Sequence, residues 1–393
     1  MQSFTYHLPT EIVFGKEAQL QTAVEIKKYG GSRVLLVSGG HSAERSGLLA
    51  QLRTQLTEAG LAVESFGGVQ PNPRVDHARE GVRRAVQKKA DFILAVGGGS
   101  VIDTAKAIAH GAANPGTDLW QFWLGRESVT KSLPVGVVLT IAAAGSETSD
   151  SAVLTDEESG VKRGLSTPFN RPAFAILNPE LTMTLPLFQV TCGIVDIMMH
   201  TMDRYFNPVR GNELTDALAE AVLRTAIANG RRAVADRQDY DAMSELMWCG
   251  SVSHNGMTGL GGLKDFAPHQ LGHELSARFD VAHGASLSAV WGAWAAVVFD
   301  TDPARFAQFG RNVWGLTGSD DAAVGHAAVD ATVAYFKEIG MPTCFTELGI
   351  GVQSEEALAQ MADAVTYHGK RKIGTFLPMG GSEIFAAYRN ANR

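Results

Sequence analysis

Carboxylate and imidazole side chains recur at helical spacing in two segments of the second half of the chain. In the first segment, Asp196 and His200 lie four residues apart in a helical pattern, so both project from one face. In the second, His269 and His273 are again four apart, and His283 follows after a predicted turn. A carboxylate with several imidazoles is a mixed oxygen and nitrogen ligand set that suits Zn²⁺, Fe²⁺ or a related ion. We therefore expect one divalent metal site here.

The clustering of the histidines favours the metal over a structural role. A histidine taken alone is more often a hydrogen-bonded core or surface residue than a ligand. Here, three of the eleven histidines fall within residues 268–284. Asp196 is flanked by apolar residues, and a buried carboxylate without a partner is unfavourable. Gly272 and Gly284 stand directly beside two of these histidines, which indicates backbone room at the site.

A glycine-rich turn lies in the first half of the chain, after an apolar run. Its residues are Gly97, Gly98, Gly99 and Ser100, and a helix is predicted to start near residue 101. Consecutive glycines let the backbone approach a bulky anion and direct N–H groups and a helix N-terminus at a phosphate. The turn is not the GxGxxG pattern, because Ile102 stands where the third glycine would fall, and no Lys-Ser/Thr pair follows it. A pyrophosphate site and a plain tight turn both fit it.

Two further turns follow apolar runs of the same half. The first, at residues 37–42, contains Gly39, Gly40 and Ser42, and no carboxylate occurs from residue 34 to residue 42. NAD-specific folds often hold the adenosine ribose with an acidic residue, so the absence of a carboxylate predicts NADP(H) in preference to NAD(H). Arg45 is a candidate partner for the 2′-phosphate. A solvated turn is the alternative. The second, at residues 140–148, has small residues that could pack against a planar ring.

The elements that must position these residues divide the chain into two parts. Up to about residue 185, short β-branched runs alternate with amphipathic stretches, which predicts βα units around a mostly parallel sheet. Strands are predicted at residues 33–37, 62–66, 92–96, 135–139 and 174–177, with helices at 48–59 and 75–88. Further helices are predicted at 188–205, 213–229, 241–257, 285–299 and 322–339. We expect a dinucleotide-binding α/β domain over residues 1–185 and an all-α metal-binding domain over residues 186–393.

Charge and composition exclude several classes of protein. The 393 residues include 34 Lys and Arg against 41 Asp and Glu, a net charge of −7, so neither a nucleic-acid binder nor a polybasic membrane anchor is expected. No apolar run reaches the roughly 18 residues that a membrane span needs. The three cysteines are far apart, which argues against a disulfide framework. We expect a soluble cytoplasmic protein with a small-molecule substrate.

These motifs, in this order, resemble the iron-dependent, or group III, alcohol dehydrogenase family. The resemblance extends from Ile12-Val13-Phe14-Gly15 through the glycine-rich turns to Gly272-His273-Glu274-Leu275 and His283-Gly284. Residues 66–73 (FGGVQPNP), Tyr240-Asp241 and Met247-Trp248 are most similar to bacterial NADPH-dependent aldehyde reductases and butanol dehydrogenases. The resemblance implies a dehydroquinate-synthase-like fold, an active site between the two domains, and hydride transfer between NADP(H) and a small alcohol or aldehyde. It also implies a homodimer.

The resemblance also assigns roles to residues. The positions that match the metal ligands are Asp196, His200, His269 and His283, and His273 matches a histidine beside the metal that is not a ligand. As a proton relay, His273 would be catalytic; the alternative is that it only supports the helix. The positions that match the pyrophosphate loop and other cofactor contacts are Gly97, Gly98, Gly99, Ser100, Asp103, Asn72, Thr140, Lys162 and Leu181. Ala144 and Asn178 depart from the family's usual Thr and Asp.

Other functions remain open at this point. A dehydroquinate-synthase-type lyase would need several basic residues for a phosphorylated substrate, but Lys264 is the only Lys or Arg between Arg237 and Arg278. Glycerol-dehydrogenase-like polyol oxidation and a zinc hydrolase without nucleotide are further alternatives. Aromatic residues could line an apolar substrate pocket, although such residues are more often core. They are Trp120, Phe122, Trp123 and Trp248.

Overall fold

A computed structural model describes residues 1–40 and 42–393, so His41 of the second glycine turn lies outside the described residues. The chain forms two compact units, His7–Leu185 and a second made of Met1–Tyr6 with Pro186–Arg393. The first six residues, expected in the domain at 1–185, thus belong to the helical unit. Their backbone joins it directly, since the N–H of Gln2 donates to the carbonyl oxygen of Gly261 at 2.9 Å.

The first unit is built on a six-stranded parallel sheet in the order β3-β2-β4-β5-β8-β1. A separate antiparallel hairpin pairs β6 with β7. The strands are β1 (Glu11–Phe14), β2 (Arg33–Ser38), β3 (Ala62–Phe66), β4 (Phe92–Gly97), β5 (Val135–Leu139), β6 (Ser151–Asp156), β7 (Val161–Ser166) and β8 (Phe174–Leu177). The helices are α1 (Thr22–Lys28), α2 (Ser42–Arg45), α3 (Leu48–Glu58), α4 (Val75–Gln87), α5 (Gly99–Ala113) and α6 (Trp120–Trp123).

The sequence of the central strands explains their place in the sheet. Every residue of β4 and β5 is buried, as expected where helices cover both faces of a parallel sheet. The chain runs from β2 outward to β3 and then returns to β4 on the other side of β2. This reversal is a topological switch point, and the carboxyl ends of strands at such a point leave room for a ligand. The sheet therefore offers a site beyond the ends of β2 and β4.

The second unit is helical in the described residues. Its α-helices are α7 (Leu187–Tyr205), α8 (Glu213–Ala235), α9 (Tyr240–His254), α10 (Ala267–Phe279), α11 (His283–Val298), α12 (Pro303–Trp314), α13 (Asp321–Glu338), α14 (Glu355–Val365) and α15 (Gly381–Ala391). The predicted fold class, an α/β part followed by an all-α part, is confirmed. Among the described residues, no helix is both long enough and apolar enough to cross a bilayer.

A buried histidine of the first unit predicts a pH-dependent stability. His110 is fully buried, with Nδ1 2.9 Å from Ser132 Oγ and Nε2 2.8 Å from Asn170 Oδ1. Burial, with a smaller effect of the Lys106 charge, lowers its pKa to about 4. In the unfolded chain, His110 takes up a proton near its ordinary pKa of about 6.5, whereas in the folded chain it stays neutral down to about pH 4. The free energy of unfolding therefore falls by up to about 3 kcal/mol as the pH falls from about 6.5 to about 4.

Urea unfolding at a series of pH values measures this effect. His110→Gln, which cannot titrate, is expected to give a shallower fall in unfolding free energy below pH 6.5 than the unchanged protein. His326→Gln is the matched control, because His326 is exposed and stacks on Phe299. An equal slope in the His110 variant would contradict the prediction.

Candidate functional site

The three small-residue turns predicted from the sequence lie side by side at one edge of the parallel sheet. They follow β2, β4 and β5, which are neighbours in the sheet. The N–H of Thr140, after β5, donates to the carbonyl oxygen of Gly97 at 3.1 Å. A side chain on Gly39, after β2, would come within 3.5 Å of Val101, which follows the β4 turn. The fold thus brings together turns that are about 100 residues apart in sequence.

The glycines of the β4 turn allow close packing between two of these turns. A Cβ on Gly98 would overlap the side chain of Ile141, and one on Gly99 would lie 2.9 Å from the Cβ of Ala144. A Cβ on Gly97 would lie 2.5 Å from Val101. The helix α5 begins at Gly99, so the N–H groups of Gly99 and Ser100 lie in its first turn, where N–H groups have no partner within the helix. The turn therefore fits a pyrophosphate, and its glycines also satisfy packing inside the protein.

Asn72 and Lys162, two predicted cofactor residues, lie in direct contact. Lys162 Nζ donates to Asn72 Oδ1 at 2.8 Å, and Asn72 is a buried residue with φ of 54°. Leu181, another predicted cofactor residue, instead packs against an apolar cluster that includes Ile176.

The carboxylate of Asp103 is hydrogen-bonded within the protein through both of its oxygens. It accepts from Ser146 Oγ at 2.5 Å and from the N–H of Val153 at 2.9 Å. A contact of Asp103 with the cofactor stays a prediction.

Lys106 holds the turn after β5 and was not singled out from the sequence. Its side chain is fully buried, and Nζ donates to the carbonyl oxygens of Ser146 and Ser151, each at 2.7 Å. Burial lowers the pKa of Lys106 to about 8, opposed by the nearby carboxylates of Asp103 and Glu147. The sequence signal for Lys106 was a lysine inside a mainly apolar helix, because a lysine that is buried has to find partners.

In the helical unit, three predicted ligands converge. One oxygen or nitrogen atom from each of Asp196, His200 and His269 lies within 4.8 Å of the others, and all three residues are buried. His200 Nδ1 is 3.4 Å and His269 Nε2 is 3.7 Å from Asp196 Oδ1. Within the described residues, none of these three atoms makes a hydrogen bond. Buried polar atoms are normally hydrogen-bonded. An oxygen and two nitrogens that face one another without such bonds are therefore suited to coordinate a cation.

The other two histidines lie next to this cluster. His283 is the first residue of α11, and its Nε2 is 3.7 Å from Asp196 Oδ1. His273 is one turn after His269 on α10, with its ring centroid 6.2 Å from that of His269 and 5.3 Å from that of His283. In the described residues, the three-residue ligand group includes neither His273 nor His283. The fold brings all five predicted side chains together.

Burial sets the charge of the imidazoles. Burial, with the neighbouring rings of His254 and His269, lowers the pKa of His200 well below its usual range. Burial also opposes a proton on His269, but the carboxylates of Asp203 and Asp196 outweigh it and raise the pKa of His269. His200 is therefore uncharged at neutral pH and keeps one ring nitrogen with a lone pair, as a metal ligand must.

Three neighbours of the cluster were missed in the sequence. Asp203 Oδ2 lies 2.5 Å from His269 Nδ1. The rings of His254 and Phe266 lie with their centroids 3.9 Å and 6.3 Å from that of His200. Asp203 could have been found, because seven residues after Asp196 is two helical turns on the same face. His254 could not, since only the packing of α7 against α9 brings it there.

The aromatic residues considered for a substrate pocket are mainly core. Trp120, Phe122 and Trp123 are buried in an apolar cluster that includes Leu154. Trp248, on α9 of the other unit, is 45% exposed. The core interpretation of the first three is confirmed.

Comparison with known proteins decides the family. Residues 9–179 match the iron-containing alcohol dehydrogenase family, and residues 190–392 match the C-terminal part of the same Fe-containing alcohol dehydrogenase family. The chain belongs to the iron-containing alcohol dehydrogenases. The family resemblance read from the motifs is confirmed, and so is the enzyme class, a metal-containing oxidoreductase that uses a nicotinamide cofactor.

Individual relatives of this alcohol dehydrogenase cover 95% or more of its length. It is 36% identical over 393 residues to NADH-dependent butanol dehydrogenase A of Clostridium acetobutylicum, covering 100% of both chains. It is 36% identical over 377 residues to NADPH-dependent aldehyde reductase YqhD of Escherichia coli, covering 95% of each. The crystal structure of NADH-dependent butanol dehydrogenase A from Thermotoga maritima shares its fold, with a TM-score of 0.96, 31% identity and coverage of 100% and 99%.

Proposed function

We propose that this alcohol dehydrogenase interconverts small aldehydes and alcohols using a divalent cation held by Asp196, His200, His269 and His283. The observation that carries the proposal is the buried group of three oxygen and nitrogen atoms without hydrogen bonds in the helical unit. Under this proposal the helical unit, Met1–Tyr6 with Pro186–Arg393, is the metal-binding domain, and His7–Leu185 binds the dinucleotide. A bound Fe²⁺ or Zn²⁺ would supply Lewis acidity toward the substrate oxygen, and the nicotinamide would supply or accept the hydride.

The test of the reaction is the absorbance of the reduced nicotinamide. We expect the metal-loaded protein to consume NADPH when a small aldehyde is added, and to stop doing so after dialysis against a chelator. A panel of aliphatic and aromatic aldehydes, alcohols and glycerol would define the substrate class and separate polyol oxidation from aldehyde reduction. No consumption with any aldehyde by the metal-loaded protein would contradict the proposal.

We propose NADP(H) as the preferred dinucleotide, bound at Gly39, Gly40, Ser42 and the neighbouring turns. The support is chemical: no carboxylate lies in residues 34–42, and Glu44, the next one, pairs with Arg53 at 2.8 Å. The named relatives include both NADH- and NADPH-dependent enzymes, so the preference needs its own measurement. The ratio of kcat/KM for NADPH to that for NADH should exceed 1 and fall in Arg45→Ala. A homodimer and a cytoplasmic location stay predictions.

His273 is proposed to relay a proton between the substrate oxygen and solvent. Its ring centroid lies 6.2 Å from that of the proposed ligand His269 and 5.3 Å from that of His283, and it is outside the buried ligand group. Because general acid–base groups commonly contribute 10² or more, His273→Ala is expected to keep its metal and lose about 10²-fold in kcat. Metal content and the pH profile of kcat are the measurements. Unchanged activity across the pH range would contradict the relay.

A further inference from the structure

Asp203 contacts one of the proposed metal ligands through a short hydrogen bond between the side chains. Asp203 Oδ2 and His269 Nδ1 are 2.5 Å apart, and the two side chains are 1% and 4% exposed. A carboxylate only accepts, so Nδ1 carries the hydrogen of this bond. In the neutral ring, Nε2 is then the nitrogen with the lone pair, and it lies 3.7 Å from Asp196 Oδ1. The bond thus selects the tautomer that a cation at Asp196 requires.

The backbone of Asp203 is hydrogen-bonded to the backbone of Asp265, a residue whose carboxylate is buried. The carbonyl oxygen of Asp203 accepts from the N–H of Asp265 at 2.8 Å. The side chain of Asp265 accepts from the N–H groups of Thr375 at 2.7 Å and Phe376 at 2.8 Å. It also accepts from the N–H of Ala267, the first residue of α10, at 3.1 Å. These bonds join the end of α7 to the start of the helix that carries His269.

Phe266, between Asp265 and the first residue of α10, has an unfavourable backbone conformation. Phe266 is a non-glycine residue with φ of 54°. Such residues persist where the surrounding structure holds them, and they are common at functional sites. Its ring centroid is 5.1 Å from that of His269, and the guanidinium of Arg204 lies 4.9 Å from the ring. The ring of His269 is therefore packed against Phe266 as well as hydrogen-bonded to Asp203.

We propose that Asp203 is a positioning residue, which fixes the tautomer of His269 and directs Nε2 at the cluster formed with Asp196 and His200. The inference rests on the proposed assignment of His269 as a ligand. A carboxylate behind a ligating imidazole orients the ring and increases its basicity, and losing such a partner commonly weakens metal binding 10- to 100-fold. Asp203 has no contact with substrate in this role and acts only through His269.

Zn²⁺ affinity of the full-length protein, measured by competition with a chelator, tests the role without using activity. Asp203→Ala is expected to weaken Zn²⁺ binding about 10- to 100-fold, and Asp203→Glu, which keeps a charged acceptor, to weaken it less. The matched control is Asp363→Ala. Asp363 makes the same kind of bond to His368 Nδ1 at 2.6 Å, but on the exposed surface, so its loss should leave the Zn²⁺ affinity unchanged.

A double-mutant cycle separates positioning from general destabilisation. In a His269→Ala background, Asp203→Ala is expected to change the Zn²⁺ affinity less than twofold, since the group that it acts through is gone. An equal loss in both backgrounds would overturn the positioning role. An unchanged affinity in Asp203→Ala, with weaker binding in His269→Ala, would overturn the role of Asp203 alone. Unchanged affinity in His269→Ala would overturn the ligand assignment itself.

A crystal structure of the unaltered protein with Zn²⁺ keeps the proposal testable if the Asp203 variants do not fold. Coordination by His269 Nε2, with Nδ1 still on Asp203, is the expected result. Coordination through Nδ1, or a ring turned away from Asp203, would overturn the proposal.

Discussion

Alanine in place of Asp196 or His200 is expected to abolish metal retention and to lower kcat/KM for aldehyde reduction by at least about 10³-fold. The reason is that Lewis-acid stabilisation of a developing charge supplies several kcal/mol, and about 4 kcal/mol corresponds to a factor of 10³. The side chains of Asp196 and His200 are only 6% and 5% exposed, so no other exposed side chain can swing in to replace the lost ligand. Elemental analysis after dialysis and steady-state kinetics measure the two effects.

A graded series sharpens this prediction. Asp196→Asn keeps an oxygen ligand but removes the charge, so its metal content and kcat/KM should lie between those of the unchanged protein and Asp196→Ala. His326→Ala is the control, since His326 is exposed and stacks on Phe299. Full metal retention in both Asp196→Ala and His269→Ala would refute the proposed site.

The spacing of residues predicted part of this site, and tertiary packing supplied the rest. By spacing alone, His269 and His273 were equal candidates to join Asp196 and His200, and only the family resemblance named His269 as the ligand. In the structure, His269 joins the buried group and His273 lies outside it. The angle at which α10 packs against α7 determines which of these two histidines faces Asp196. The spacing of residues within one helix does not give that angle.

Most of the parallel sheet was predictable from the sequence. All five predicted strands occur with at most one residue of difference; four of them are apolar runs typical of buried parallel strands, and the fifth is the edge strand β3. The hairpin of β6 and β7 and the edge strand β1 were missed. The residues of β1 are half-buried or exposed, and its partner β8 lies about 160 residues away, so neither burial nor local pairing marks it in the sequence.

Gly284→Ala is expected to lower the unfolding free energy by about 3 to 5 kcal/mol and to weaken metal binding as well. Gly284 is the second residue of α11 and follows the proposed ligand His283. A Cβ there would collide with the carbonyl oxygen of Cys192 and lie 2.7 Å from its Cα. The sequence suggested room for a metal at this glycine, but the room is taken by the backbone of α7.

The size of the Gly284 effect follows from what the new methyl group meets. Backbone atoms of a buried helix cannot move alone, so α11 has to shift away from α7 and carry His283 away from Asp196. Gly272→Ala is a milder comparison, because its Cβ would meet side-chain atoms of Leu287 and Ser286 at 2.9 Å, and side chains can turn. Gly381→Ala, in open space at the start of α15, is the control and should be neutral or slightly stabilising. Urea unfolding and Zn²⁺ competition on all three variants check the order, and equal stability of Gly284→Ala and Gly381→Ala would contradict the close contact of α7 with α11.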